Sequence, residues 1–512
     1  MSIAKKVFKN SSANLISFVW NSLLFFLLTP FMVNQLGAAS YGIIALTATL
    51  TGFLGFLDLG FTGAAVKQIS ESYAKRDIAR VRNVVNLSLI IYTIMGVIAS
   101  LLLILFINSG YLYYFKIDAG LMTDLKFSLY IASANIILNM VLSVFSNIPY
   151  ALQMNVVQAK CNIMLSTFTN FGIALCLILG YGLKAVMLIK LASSIAAIIV
   201  YYVTDRKLIP ELSVKFYFNR VLFREMFSFS VYNMITQLSQ AFFGQFDRLI
   251  LGSMVNVSSV TYYVVPAGAA VKFNNVITNI TNVIFPLTSE LSATSNTDKI
   301  RRLYCKSLKY ISLISFCITI PVFLYSENLL TLWMGKDFSL ESANVFRILL
   351  VSNLLLSGNA ICYYMFNGLN MPKINTIYVI ITSVMRVVLS VAFIPIYGVS
   401  GAAIAFLASM IPVPFFICYF ERVLNIKTLY FLFRVYLPLA VSSAVVIFGF
   451  SIIDYSGVNI LVLAFLGALS VLAFLAVCFV FRYFDSEDIN RLRQFGKKVN
   501  ITFNKVLKRN LH

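Results

Sequence analysis

Six charged residues inside long apolar runs are the first candidates for chemistry in this sequence. Four are basic and two are acidic: Lys190, Arg248, Lys272, Arg386, Asp58 and Asp247. An ionised side chain at the centre of a bilayer costs roughly 3 kcal/mol or more. Even if each acid pairs with one base, two positive charges remain without a counter-charge. This excess favours an anionic ligand such as a carboxylate, a phosphate or a pyrophosphate.

Two of the four bases have an alternative interpretation. Lys190 and Arg386 can extend their charged ends to a membrane surface while their aliphatic stems stay in lipid. Lys272 lies about thirteen residues into its apolar run, which places it near the middle of a bilayer at about 1.5 Å per residue. Lys272 and Arg248 are therefore the stronger candidates.

Polar side chains recur every three or four residues in the runs that carry these charges. Residues at this spacing share one face of a helix. The three sets are Thr47, Thr51, Gly55, Asp58 and Thr62; Asn233, Gln237, Gln240, Gly244 and Asp247; and Lys272, Asn275, Asn279, Asn282 and Pro286. Such faces either join packed helices by hydrogen bonds or line a shared water-filled cavity, and the ionised groups favour the cavity. Two further sets fit both interpretations equally well: Asn135 and Asn139, and Asn162, Ser166 and Asn170.

Missing residue types exclude several classes of function. The single His is residue 512, and the seven Cys have no paired spacing. Histidine catalysis, a metal site and a disulfide framework are therefore not expected. No phosphate-binding loop and no dinucleotide glycine motif occurs. We expect a protein that is not an enzyme and that has no cofactor and no metal.

The elements that position these residues are transmembrane helices. Of the 512 residues, 60% are hydrophobic and only 12% are charged, whereas soluble proteins carry about 25% charged residues. Apolar runs long enough to cross a bilayer recur along the whole length. We expect an all-α polytopic membrane protein with about fourteen transmembrane helices, of which the second, seventh and eighth occupy 41–66, 226–251 and 259–288.

The distribution of Lys and Arg predicts the orientation. With fourteen spans, 31 of the 40 basic residues fall on the side of the N-terminus and 4 fall on the opposite side. Because cytoplasmic loops are enriched in Lys and Arg, both termini are predicted to be cytoplasmic. The net charge of +21 is then mainly a topology signal with some attraction to membrane lipids, and no nucleic-acid partner is expected.

A faint internal repeat predicts the domain organisation. The segment "NQLGAASYGIIALTATL" (34–50) resembles "GSMVNVSSVTYYVVPAGAA" (252–270), and six predicted spans separate the two. An even number of spans gives both halves the same orientation, as in parallel repeats. We expect two six-helix lobes at 1–210 and 211–422, two further spans at 423–482, and a basic cytoplasmic tail at 483–512.

The stretch "LGAASYGIIAL", continued by "LDLGFTGAAVKQISE" and a basic loop, resembles the Wzx-type O-antigen flippases. These form part of the polysaccharide transporter group in the multidrug/oligosaccharidyl-lipid/polysaccharide exporter superfamily. The resemblance implies a MATE-like fold that works by alternating access. Its implied substrate is an undecaprenyl-diphosphate-linked oligosaccharide, moved from the cytoplasmic to the periplasmic leaflet of the bacterial inner membrane. An O-antigen polymerase and a chain-length regulator are the implied protein partners.

The same resemblance suggests a role for each candidate residue. Four basic residues are expected to contact the diphosphate, the last of them during loading from the cytoplasm: Lys272, Arg248, Arg386 and Lys67. Four amides are expected to bind the glycan: Asn275, Asn279, Gln237 and Gln240. The two acids, Asp58 and Asp247, are expected to act in coupling or gating. For Asp58 this means pairing with a basic residue in one access state or binding a coupling proton.

Three other functions fit parts of the sequence. A cation-coupled drug or metabolite antiporter of the same superfamily would have about twelve spans and an acidic cavity. A lipid II flippase would take a very similar ligand. A membrane-embedded polymerase or acyltransferase would need a sizeable periplasmic loop with reactive groups, whereas the longest loop on that side, about 110–125, is short and has no His.

Overall fold

In a computed structural model of the protein, helices follow the apolar runs in all the residues described. The structure covers residues 3–58, 60–228, 245–281, 284–293, 297–427, 429–452, 459–486 and 488, and no β-strand occurs among them. A helix satisfies its own backbone hydrogen bonds, so apolar segments in lipid fold as helices. The prediction of an all-α multi-pass membrane protein is confirmed.

The first part of the described chain contains eight helices with both ends defined, and residues 220–228 are helical as well. The eight are α1 (Ile3–Leu54), α2 (Phe61–Ala74), α3 (Ile78–Asn108), α4 (Ala119–Ala151), α5 (Asn155–Ile178), α6 (Leu183–Leu208), α7 (Phe246–Ile250) and α8 (Val257–Thr281). Single 3-10 turns occupy Gly55–Asp58 and Tyr111–Tyr114, and a π-helical turn at Leu251–Val255 follows α7.

The remainder of the described chain contains a further eight helices. They are α9 (Ile284–Ala293), α10 (Thr297–Leu324), α11 (Ser326–Met334), α12 (Lys336–Gly368), α13 (Pro372–Ala408), α14 (Pro412–Val423), α15 (Leu437–Ser451) and α16 (Ile460–Val480). A π-helical segment at Phe431–Tyr436 leads into α15.

Ten helical stretches in the described ranges are long and apolar enough to cross a membrane. Two of them, Ser12–Leu54 and Pro372–Val423, contain 43 and 52 residues, which is about 65 and 78 Å of helix against a hydrocarbon core of about 30 Å. Each is interrupted by a glycine with positive φ, Gly37 at 79° and Gly398 at 56°, a backbone conformation that glycine adopts without steric cost. The total of fourteen spans stays a prediction, because part of the predicted seventh span (229–244) lies outside the described residues.

The second predicted span is not one continuous helix, and that expectation is wrong. Helix α1 ends at Leu54, a 3-10 turn follows at Gly55–Asp58, and Gly60 has a φ of 76° before α2 begins at Phe61. The Asp58 carboxylate accepts a hydrogen bond from the Thr62 backbone N–H at 3.3 Å, which satisfies a free donor in the first turn of α2. The polar residues from Thr47 to Thr62 therefore do not lie along a single helix face.

Two compact units divide the chain. The first comprises Met1–Lys272, Leu340–Leu349 and Thr376–Met410, and the second comprises Phe273–Ser339, Leu350–Asn375 and Ile411–His512. The predicted lobes at 1–210 and 211–422, with spans 13 and 14 at 423–482, stay a prediction.

The two copies of the sequence repeat pack against each other within the first unit. The Thr261 hydroxyl donates a hydrogen bond to the Ala38 carbonyl at 2.6 Å. A Cβ atom on Gly42 would lie 2.2 Å from the Val257 carbonyl oxygen, so only glycine allows the backbones of α1 and α8 to come this close. The small residues that the two copies share thus serve as a helix–helix contact.

Buried polar contacts anchor the helices of the second unit. The Glu421 side chain is fully buried on α14 and accepts hydrogen bonds from the Tyr304 hydroxyl and from the backbone N–H groups of Tyr430 and Phe431, at 3.1, 3.0 and 2.7 Å. It therefore ties α10 and α14 to the segment that leads into α15.

The residues that follow α16 also pack on α10. Lys309 Nζ lies 2.7 Å from Asp485 and 2.5 Å from Asp488, and the Tyr310 hydroxyl also donates to Asp488. Burial raises the pKa of Asp488, but the hydrogen bonds from Lys309 and Tyr310 outweigh it and hold this pKa below its usual value. Residues 483–486 and 488 are thus anchored to a helix, and the rest of the predicted tail lies outside the described residues.

The close approach at Gly42 gives a stability prediction. Gly42→Ala should lower the free energy of unfolding by about 1–3 kcal/mol, since its methyl group would overlap a backbone carbonyl that has no side-chain freedom to move. Gly449→Ala on α15 is the matched control, because nothing lies within 4 Å of a Cβ there. Thermal unfolding of the purified proteins in detergent is the measurement, and equal melting temperatures for the two variants would contradict the packing described.

Candidate functional site

An acid and an arginine from distant parts of the chain form an ion pair in the first unit. Asp247 lies in the first turn of α7, and Arg386 lies on α13. Arg386 Nη2 is 2.6 Å from Asp247 Oδ2, and the Asp247 side chain is completely shielded from solvent. The Tyr263 hydroxyl of α8 donates to the same oxygen, and the Arg248 backbone N–H donates to Oδ1 at 3.0 Å. Asp247 is therefore neutralised and fully hydrogen-bonded.

Arg386 is held from a second direction by an aromatic ring. Its guanidinium carbon lies 4.1 Å from the centroid of the Phe406 ring, within the distance at which a cation is attracted to the face of an aromatic side chain. The guanidinium is only 18% exposed, and its buried Nε has no hydrogen-bond partner. Its predicted role as a third diphosphate contact stays a prediction.

Lys272 and Arg248, the two strongest candidates from the sequence, have no such neutralisation. Both side chains are half-buried, and no carboxylate lies within 4 Å of either in the part of the chain that the structure describes. Lys272 Nζ lies 5.8 Å from the ring centroids of Phe18 and Phe25 on α1. Aromatic faces position an ammonium group without cancelling its charge, so Lys272 stays available to an anion. The Arg248 charge also acts on the neighbouring Asp247 carboxylate, although the two side chains form no ion pair within 4 Å.

The structure describes two of the four amide residues that are predicted to bind the glycan. Asn275 and Asn279 follow Lys272 on α8, and their side chains are half-buried and exposed, respectively. Both belong to the second unit, since the boundary between the units falls directly after Lys272. Gln237 and Gln240 lie outside the described residues.

The remaining two candidates have local partners. Lys67 is half-exposed on α2, 3.9 Å from Glu71. Asp58 accepts a hydrogen bond from the Thr62 hydroxyl at 3.0 Å, and that hydroxyl lies 2.6 Å from the Tyr92 hydroxyl. No basic side chain lies within 4 Å of Asp58 among the described residues. The base pairing expected for one access state is thus not formed here, and the role of Asp58 stays a prediction.

Two acids that the sequence analysis does not single out are fully buried: Asp205 and Glu421. Asp205 lies near the C-terminal end of α6, which continues to Leu208. A signal was available, since Asp205 follows the buried Tyr201 by four residues and shares its face. Lys190 is half-buried and lines a polar cavity.

Comparison with known proteins identifies relatives over about three quarters of the chain. A family model described as "Polysaccharide biosynthesis protein" matches residues 7–292. The protein named "Putative O-antigen transporter" from Shigella flexneri is 24% identical over 403 residues, which cover 78% of this chain and 94% of that protein. The protein named "Probable flippase AglR" from Haloferax volcanii is 25% identical over 397 residues, covering 75% of this chain and 77% of that protein.

Solved structures identify the fold. The lipid II flippase MurJ in an inward closed conformation superposes with a TM-score of 0.68 at 15% identity, covering 92% of this chain and 98% of that one. An inward-facing multidrug resistance transporter of the MATE family superposes with a TM-score of 0.66 at 16% identity, covering 78% of this chain and 94% of that one. The predicted MATE-like fold is confirmed.

The buried ion pair gives a second prediction. Arg386→Met should destabilise the protein by about 3–5 kcal/mol, because it leaves Asp247 charged and unpaired in a buried position. The double variant Asp247→Asn with Arg386→Met should recover part of this loss, since both charges are then removed. Thermal unfolding in detergent checks both variants. A double variant as unstable as Arg386→Met would show that the packing of Arg386, rather than its charge, is what matters.

Proposed function

This chain belongs to the polysaccharide biosynthesis protein family, and we propose on that basis that it moves an undecaprenyl-diphosphate-linked oligosaccharide across a membrane. Its family and relatives point to a flippase of the multidrug/oligosaccharidyl-lipid/polysaccharide exporter superfamily rather than to an enzyme. The proposed substrate is an O-antigen unit or a similar polysaccharide repeat unit. The proposed direction is from the cytoplasmic to the periplasmic leaflet of a bacterial inner membrane.

The observation that supports the proposal is the pair of bases that form no ion pair among the described residues, Lys272 and Arg248. A diphosphate diester carries about two negative charges at neutral pH, and two basic side chains without carboxylate partners match that charge. Since Asp247 already satisfies Arg386, these two bases remain to compensate the diphosphate. Charge-assisted hydrogen bonds to phosphate oxygens are stronger than neutral ones.

The chemistry of such a substrate explains why a protein is needed. The diphosphate and the sugars cannot enter hydrocarbon without losing their hydration, whereas the prenyl chain can stay in lipid throughout. A cleft with basic and amide side chains lowers the barrier for the polar head group alone. Alternating access would then expose the cleft to each leaflet in turn, with Asp58 and Asp247 as the proposed gating or coupling acids and Lys67 as the proposed entry contact.

The proposed orientation rests on the loop charges. With 31 basic residues on one side and 4 on the other, we propose that both termini are cytoplasmic. A polysaccharide polymerase and a chain-length regulator, which would use the exported units, are the proposed protein partners.

Neutralising the two bases tests the function. In a bacterial strain that lacks its own flippase and depends on this protein, Lys272→Gln and Arg248→Gln should each lower surface polysaccharide about tenfold or more. That factor corresponds to the loss of one charge-assisted hydrogen bond. Lipid-linked single repeat units should accumulate in the cytoplasmic leaflet. The matched control is Lys160→Gln, which removes an exposed charge on α5.

The same strain separates this proposal from its alternatives. Normal export by both variants at wild-type protein level would overturn the assignment of the diphosphate contacts. Rescue of a strain depleted of its lipid II flippase, without any rescue of polysaccharide export, would identify lipid II as the substrate instead. A null strain that still exports single repeat units would indicate a polymerase.

A further inference from the structure

A second polar site lies in the first unit, and its lining includes none of the residues already assigned. Residues of four helices, α1, α4, α5 and α6, line an open cavity of about 520 Å³. Five of its lining residues carry the argument: Lys190, Asn135, Asn139, Asn162 and Ser193. Resting on the proposed function, we infer that this cavity binds an acidic sugar residue of the translocated glycan, with Lys190 as the partner of its carboxylate.

Lys190 supplies the charge of this site. It is the eighth of the 26 residues of α6, and its side chain lines the cavity. Among the described residues no carboxylate lies within 4 Å of it, and no Asp or Glu lines the cavity. A lone ammonium in a membrane-spanning helix needs water or an anion to remain charged. One cation matches one negative charge, which is a carboxylate rather than the two charges of a diphosphate.

Two amides are oriented as hydrogen-bond donors. The Asn162 side-chain oxygen accepts the Tyr201 hydroxyl at 2.7 Å. The Asn139 side-chain oxygen lies 3.3 Å from the Ser194 hydroxyl, which is also 3.2 Å from the Lys190 backbone carbonyl. Both asparagines have NH2 groups left to donate. Together with the Lys190 ammonium, these are the donors that a carboxylate requires.

Two lining residues have a buried polar atom with no hydrogen-bond partner, the Asn135 side-chain oxygen and the Ser193 hydroxyl. An unpaired buried polar group costs about 1–3 kcal/mol. A change of side-chain rotamer would turn either atom into the cavity, where the hydroxyl groups of a sugar can pair with it.

The volume of the cavity also favours a sugar over a simple ion. At about 520 Å³ it falls within the roughly 300–1,000 Å³ that is typical of small-molecule sites. A water molecule takes only about 30 Å³ of liquid volume, and a halide ion is of similar size. The cavity is therefore large enough for a monosaccharide together with a few waters.

Binding to the purified full-length protein in detergent tests the inference. Four probes are compared by isothermal titration calorimetry and by thermal shift at constant ionic strength: sodium glucuronate, glucose, sodium acetate and sodium chloride. Glucuronate should bind at least tenfold more tightly than each of the other three. Lys190→Met should weaken glucuronate binding at least tenfold, and Lys190→Arg should restore part of it.

Lys184→Met is the matched control. Lys184 is on the same helix, six residues before Lys190, with a side chain that is 54% exposed and paired with Asp124. Its loss removes the same charge and should leave glucuronate binding unchanged. Equal elution profiles in size-exclusion chromatography establish that the variants are folded.

Every other result overturns the inference. Acetate or chloride binding as tightly as glucuronate would make this a small-anion site, and glucose binding equally tightly would make it a neutral hydroxyl site. If none of the four probes binds, or if Lys190→Met leaves glucuronate binding intact, the cavity is not a glucuronate site and holds only water.

A cellular assay separates this inference from the proposed function. In strains that build either an acidic or a neutral repeat unit, Lys190→Met should lower the ratio of acidic to neutral export at least tenfold. If the ratio is unchanged while Lys272→Gln abolishes both exports, the cavity assignment fails and the proposed function stands. If purified protein binds glucuronate but neither unit is exported, the proposed function fails instead.

Discussion

Every charge inside an apolar span must be neutralised, hydrated or matched by a ligand, and this requirement explains the polar interior of the protein. Asp247 illustrates the first solution, since Arg386, Tyr263 and a backbone N–H surround its carboxylate. Glu421 follows the same rule with a tyrosine and two backbone N–H donors. The bases without a carboxylate within 4 Å among the described residues are then the ones that an anionic substrate can use.

The positions of these bases suggest that different bases bind different groups of the proposed substrate. Lys272 and Arg248 match a diphosphate with two charges, whereas Lys190, in its amide-rich cavity, matches a single carboxylate surrounded by hydroxyl groups. Aromatic rings beside Lys272 position the ammonium while leaving its charge available. A lipid-linked acidic glycan presents both kinds of group.

The local sequence pattern identified the charged residues of the candidate site, but it did not identify the side chains with which they pair. The cations of the candidate site were evident because a charge in an apolar run is conspicuous at any position. Their partners were not, since Arg386 and Asp247 are 139 residues apart and the spacing of polar residues carries no information over that distance. The polar face that includes Asp58 was misjudged because glycines at 55 and 60 interrupt a helix that the periodicity extended.

The sequence by itself determined that this is an all-α membrane protein with excess positive charge in its apolar spans, because hydrophobic run length and charge placement are local properties. Its two repeat segments could also be found by inspection. Only the tertiary structure decided that these segments pack on each other at Gly42, that Asp247 neutralises Arg386, and that Lys190 lines a polar cavity. Each of these depends on which helices become neighbours, and close packing across distant parts of the chain sets that choice.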